Sequence, residues 1–155
     1  CAGLLGVALY MEHVMGLEPC PLCWLQRFGF MAAGFVSLLA ALHGPHGFGA
    51  RVYGLLLSVS AGAGLAMAGR QLWLQSLPAD QVPACGPSVD YMLDVLPWME
   101  VLTTALKGTG DCAEVTWRFL GLSIPGWTAI FFSLLVIVGL VMLFWPPRKP
   151  EWIQG

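Results

Sequence analysis

Four of the five cysteines stand where thiol chemistry could be done. Cys20-Pro21-Leu22-Cys23 is a C-x-x-C placed where a long apolar run begins. So tight a ring can bring its two sulfurs into bonding range. Pro21 suits the first turn of a helix, where its missing N–H is not needed. Cys23 then lies near the positive, N-terminal end of the helix dipole, which favours the reactive thiolate. Arg27 follows Cys23 at i+4 and shares its helix face one turn deeper. A cation there stabilises a thiolate, or an anionic partner beside it. Cys85 and Cys112 flank a long segment that contains Pro87 and Pro97. A bond between them would either staple a small outer subdomain or present a labile disulfide to another protein, and composition alone favours the staple. Zinc is a third use for four cysteines, but a second C-x-x-C or a Cys/His pair would be expected for it. Cys1 stands apart and reads as a buried spectator.

The elements that must position these residues are those of a membrane protein. Hydrophobic residues make up 57% of the 155-residue chain and charged residues 10%, against about 25% charged in ordinary globular domains. The net charge of −2 and the lack of a basic stripe argue against a nucleic-acid partner. Uncharged stretches over 28–42 (extended back through Trp24 and Leu25), 52–69 (continuing to Gln75) and 125–145 approach the ~20 apolar residues that cross a bilayer as a helix. The opening stretch, 2–11, is equally apolar but short. Because the sequence starts on Cys1 in mid-pattern, this stretch reads as the outer end of a first span. The expected fold is therefore all-α and integral to the membrane: a four-transmembrane-helix bundle forming a single membrane domain over 1–155, with spans at about 1–16, 24–42, 52–75 and 125–145. A long, partly helical outer loop occupies about 76–124, and residues 95–106 have the spacing of a short helix lying on the membrane surface. Small residues in the third span, among them Ser58, Ala61, Gly64 and Ala68, predict close helix packing.

Parity places the first and third connections on one side of the membrane, and the second connection and tail on the other. Arg51, Arg148 and Lys149 mark the second side, whereas Glu12, Glu18, Asp80, Asp90, Asp94, Glu100, Asp111 and Glu114 fall on the first. The positive-inside rule makes the second side cytoplasmic, so Cys20, Cys23, Cys85 and Cys112 face an oxidising compartment, where disulfides persist. Arg27, Arg70, Lys107 and Arg118 weaken the bias, since they fall on or near the outer side.

The segments HVMGLEPCPLCWLQR (13–27) and GDCAEVTWRFLGLSIPGW (110–127), with PACGP around Cys85, resemble those of the disulfide bond formation protein B (DsbB) family. The order of elements agrees over essentially the whole chain. The resemblance implies a membrane oxidoreductase that re-oxidises a DsbA-like periplasmic thioredoxin-fold dithiol oxidase and passes the electrons to a quinone (ubiquinone or menaquinone). It implies two redox-active disulfides: Cys20–Cys23 next to the quinone, and Cys85–Cys112 meeting the partner. It implies a quinone-binding role for Arg27 and no metal. The protein would be a multi-pass protein of the bacterial inner membrane, in contact with lipid, with its catalytic loops on the periplasmic side. One position departs: many family members carry a His near the outer end of the third span, and the nearest match here is Ser76. His13 and Arg70 read as interfacial residues rather than redox groups.

Two other classes fit parts of the pattern. A vitamin K epoxide reductase-like enzyme also joins a helical bundle, loop cysteines and a quinone, but its C-x-x-C comes late in the chain. A non-catalytic membrane subunit with structural disulfides would carry pairs that resist mild reduction.

Overall fold

A computed structural model describes residues 1–16, 20–78, 80–86, 89–115 and 117–147, the side chains of 89 and 90 apart. Glu18, Pro87, Arg148 and Lys149, used in the readings above, lie outside these residues. The elements run α1 (Ala2–His13), α2 (Pro21–His43), α3 (Phe48–Gln75), α4 (Val89–Val95), α5 (Trp98–Lys107), a 3-10 turn (Gly110–Cys112), β1 (Arg118–Phe119), β2 (Leu122–Ser123) and α6 (Ile124–Phe144).

The protein is mostly helical, and three helices are long and apolar enough to cross a membrane: α2 with 23 residues, α3 with 28 and α6 with 21. Helix α1 is apolar but has 12 residues, short of the ~20 a crossing takes. Helix α2 begins at Pro21, so its first turn holds the C-x-x-C ahead of the apolar run. It ends at Gly44, whose φ of 53° is the left-handed conformation that a residue without Cβ adopts readily.

Small residues hold α3 against α6. The buried positions of α3 include Gly54, Leu57, Ala61, Gly64, Ala68 and Gln71, which alternate spacings of three and four. That is the seam of closely packed helices. The ring of Phe132 lies directly on Gly64 and stacks on Phe30 with centroids 4.0 Å apart. A Cβ added to Gly54 would lie 2.6 Å from the Gly139 carbonyl oxygen. Outward residues such as Phe35, Val59, Leu134 and Ile137 are exposed, as expected of helices that are apolar all round and meet lipid.

The outer segment departs from expectation in two places. The helix read over 95–106 is α5, which starts at Trp98 rather than Val95 because Pro97 is its N-cap, and a second short helix, α4, precedes it unread. Proline cannot donate the backbone bond that would continue α4. The all-helical reading also missed the small antiparallel hairpin of β1 and β2. Its turn residues, Leu120 and Gly121, have φ of 52° and 82°, and two positive φ values give the twist that a two-residue hairpin turn needs. The indole N–H of Trp127 donates to the Phe119 carbonyl at 3.1 Å and ties the hairpin to α6.

Cys1 is exposed rather than buried. It is the N-cap of α1, a helix that buries none of its own residues. Arg70 lies over the Trp73 ring, 4.4 Å from its centroid, and donates to the Lys107 carbonyl at 3.1 Å. It thereby caps the last turn of α5.

Candidate active site

The site is built at the outer ends of α2 and α3. Cys20 is the N-cap of α2, and its sulfur accepts the N–H of Cys23 at 3.4 Å. The two sulfurs are 3.1 Å apart, a hydrogen-bonding separation. All five cysteines are free thiols in this structure.

Cys112 belongs to the same cluster. It is fully buried and packs with Leu22 and Leu74, and Cys20 lies against that group. The chain reaches this position through glycines. Gly108 has φ of 77°, and a Cβ on it would meet Leu22 at 3.2 Å. A Cβ on Gly110 would lie 2.5 Å from the Pro83 carbonyl oxygen. The Gly110 N–H donates to the Ala84 carbonyl at 3.1 Å, so the Cys85 segment runs beside the Cys112 turn. Cys85 itself is exposed. The structure thus brings Cys20, Cys23 and Cys112 together inside, with Cys85 on the rim.

The two loop cysteines differ electrostatically. Cys112 is held down to about 6, chiefly because the Cys20 thiol donates to it, and further by the N–H groups of Leu22 and Thr109 and the Thr109 hydroxyl, against the opposing effect of burial. Cys20, whose single S–H faces the sulfurs of Cys112 and Cys23 in a buried place, is pushed up. Cys85 is raised by the hydrogen bond and charge of Asp111. The Asp111 carboxylate also accepts the Gly86 N–H at 3.3 Å, which fixes it beside Cys85. The sign is that of a thiol beside an anion: Cys85 ionises only above the usual thiol range. Asp111→Asn is expected to move the pH profile of Cys85 alkylation to lower pH. An unmoved profile in the folded variant would show that Asp111 does not control Cys85.

A cavity of about 330 Å³ opens beside the first pair. Its lining combines apolar side chains such as Leu4, Leu5, Val7 and Phe131 with Cys20, Cys23, Gln26, Arg27, Gln71 and the acids Asp111 and Glu114. Arg27 is half-buried there. It forms an ion pair with Glu12 of α1 and donates to the Ala8 carbonyl at 3.3 Å. Sequence reasoning placed Arg27 on the face of Cys23 but missed Glu12 as its partner, because that pairing crosses between helices. Ser76 is exposed, and its hydroxyl turns back to the Trp73 carbonyl at 2.7 Å. Gln75 lines the cavity instead and accepts the Ser123 hydroxyl at 2.8 Å. His13 is exposed, with Nδ1 3.1 Å from the Leu9 carbonyl oxygen, and does not line the cavity. Among the described residues no cluster of His, Cys, Asp and Glu could hold a metal ion.

The family model for disulfide bond formation protein DsbB matches residues 1–142. The chain belongs to the DsbB family. It is similar to disulfide bond formation protein B of Marinobacter nauticus, at 80% identity over all of this chain and 92% of that one. It is 61% identical to the protein of the same name in Hahella chejuensis, over 84% of this chain and 79% of that one. The Acinetobacter baumannii protein of that name is 51% identical, over 88% and 81%. Membership in DsbB makes the chain a membrane protein of disulfide bond formation, with the thiol oxidoreductase chemistry that this implies.

Proposed function

We propose that this DsbB protein re-oxidises a periplasmic DsbA-like dithiol oxidase and passes the electrons through Cys85–Cys112 and Cys20–Cys23 to a membrane quinone. The observation that carries the reading is the packing of Cys112 against Cys20, which itself lines the cavity. A relay needs the inner loop cysteine within reach of the helix pair and the other loop cysteine open to a partner. Here Cys112 is buried and Cys85 is exposed.

The partner's thiolate attacks Cys85. The Cys85–Cys112 bond breaks and the electron pair leaves on Cys112. The lower-pKa thiol leaves faster, and the N–H groups of Leu22 and Thr109 favour the Cys112 anion, so attack is directed to Cys85. Cys112 then attacks Cys20. A new Cys112–Cys20 bond forms, the Cys20–Cys23 bond breaks, and Cys23 leaves as a thiolate on the cavity wall. The cavity suits a quinone: its lining is mostly apolar and includes Cys23 and the Arg27 guanidinium. A quinone bound there supplies the two-electron acceptor. Arg27 supplies a guanidinium to the cavity wall beside Cys23.

The reading also places the protein in the bacterial inner membrane, with four crossings and the 76–124 loop on the periplasmic side. Trp98, Leu102 and Leu106 form an exposed apolar stripe on α5, which suits a helix resting on the lipid surface. The relay step has a direct test. In Cys23→Ser protein the thiolate that would leave Cys20 is gone, so peptide mapping after oxidation is expected to find a Cys20–Cys112 disulfide. Finding only Cys85–Cys112, with Cys20 free, would break the proposed order.

A further inference from the structure

One buried side chain outside the cysteines and Arg27 touches both sulfurs of the helix pair. Gln71, on the α3 seam, is 3% exposed. Its Nε2 lies 3.3 Å from the Cys20 sulfur and 3.1 Å from that of Cys23. Its Oε1 accepts from Nε2 of Gln26 at 2.7 Å. The Oε1 of Gln26 accepts the hydroxyl of Thr128 on α6 at 2.6 Å, and that hydroxyl also lies 3.0 Å from the Pro125 carbonyl oxygen. A chain of amides from α6 through α2 to α3 therefore ends on the redox sulfurs.

A primary amide has one acceptor end and one donor end, and its partners decide which way it faces. Oε1 takes its short bond from Gln26 at 2.7 Å and lies 3.5 Å from the Cys23 sulfur, so Nε2 is the end of the Gln71 amide nearer to that sulfur and the one that also reaches Cys20. A buried glutamine in an apolar seam costs stability unless its polar atoms are matched. Its seam neighbours are Ala68 and Leu74, so packing alone would be met by an aliphatic side chain.

Resting on the relay proposed above, we infer that Gln71 is the N–H donor that receives the Cys23 sulfur as it becomes a thiolate, held in that orientation by Gln26 and Thr128. The step balances without another reactant. Cys112 thiolate forms a bond to Cys20, the Cys20–Cys23 bond breaks, and its electron pair goes to Cys23 beside the Gln71 amide. Gln71 touches the reacting atoms and is catalytic in that sense, while Gln26 and Thr128 are positioning residues. A donor to a thiolate stabilises the reduced pair more than the disulfide, so it also raises the pair's tendency to be reduced.

The test equilibrates the full chain in detergent with dithiothreitol and reads each pair by alkylation and mass spectrometry. For Gln71→Leu, the equilibrium constant for reducing Cys20–Cys23 is expected to fall about tenfold, or about 30 mV for a two-electron couple. Cys85–Cys112 should keep its wild-type equilibrium. Thr128→Val should shift Cys20–Cys23 the same way by about threefold, and the double variant should match Gln71→Leu alone, since the two act through one chain. A Cys20–Cys23 equilibrium unchanged in Gln71→Leu, a shift of both pairs together, or additive effects would overturn the inference. If Gln71→Leu does not fold, Thr128→Val decides: no shift of Cys20–Cys23 overturns it. Failure of the relay itself would look different, because wild-type Cys20–Cys23 would then resist reduction and re-oxidation altogether.

Discussion

Cys112→Ser is expected to abolish turnover and to leave a covalent complex between Cys85 and the dithiol oxidase. Cys85 is the exposed member of the loop pair, whereas Cys112 is fully buried beside Cys20. A bulky protein partner can reach only the first. When the partner's oxidised form meets the variant, the Cys85 thiolate attacks its disulfide and forms the mixed disulfide. Cys112 is the thiol that would attack Cys85 and release the partner in its reduced form; without it that exit is closed, and only the partner's own second thiol can undo the bond. Turnover should fall by about a thousandfold or more, as for removal of a nucleophile that acts within a unit. Non-reducing gels with mass mapping give the readout. A complex that forms in Cys85→Ser and requires Cys112 would reverse the order of attack.

Arg27→Met is expected to raise the apparent quinone KM and slow quinone reduction, roughly 10- to 100-fold together, the range for losing one hydrogen bond to a charged group. Methionine keeps apolar bulk and removes the cation. In this structure the variant also leaves Glu12 unpaired, since its carboxylate meets Arg27, and an unpaired anion near the cavity would itself repel negative charge. The double variant Glu12→Gln/Arg27→Met separates the two effects: what remains of the loss in the double variant belongs to the missing cation. Arg27→Lys should rescue only in part, because a compact ammonium does not reproduce the guanidinium fork. Exchange between the partner and Cys85–Cys112 should persist, because that pair lies in another loop. Unchanged quinone kinetics in a folded Arg27→Met protein would reduce Arg27 to an interfacial anchor.

Much of this architecture was legible in the residues themselves. Apolar length marked α2, α3 and α6, and Pro21 marked the helix start that carries Cys20 and Cys23. Those signals are local, set by a few neighbours along the chain. The contacts that sequence reading missed are those between elements. Glu12 pairs with Arg27 across two helices, and Asp111 acts on Cys85 across the loop. Gln71 could have been found: it continues the spacing of Gly54, Leu57, Ala61, Gly64 and Ala68, so a polar amide fell on a stripe otherwise small and apolar. Its target could not, since nothing local says which helix end faces it. The hairpin at 118–123 was missed because Leu120 takes a positive φ, which a leucine seldom does.

The central claim is that electrons cross from a partner's thiols to a quinone through both cysteine pairs. It is tested most directly by mixing the purified protein with a reduced thioredoxin-fold dithiol oxidase and a ubiquinone or menaquinone analogue, and following quinone absorbance. Catalytic quinone reduction is expected, with one disulfide formed in the partner per quinone consumed, and none when Cys23 or Cys85 is replaced by serine. Quinone reduction that continues in the Cys85→Ser protein at the wild-type rate, or none at all in the wild type with a competent partner, would contradict the account.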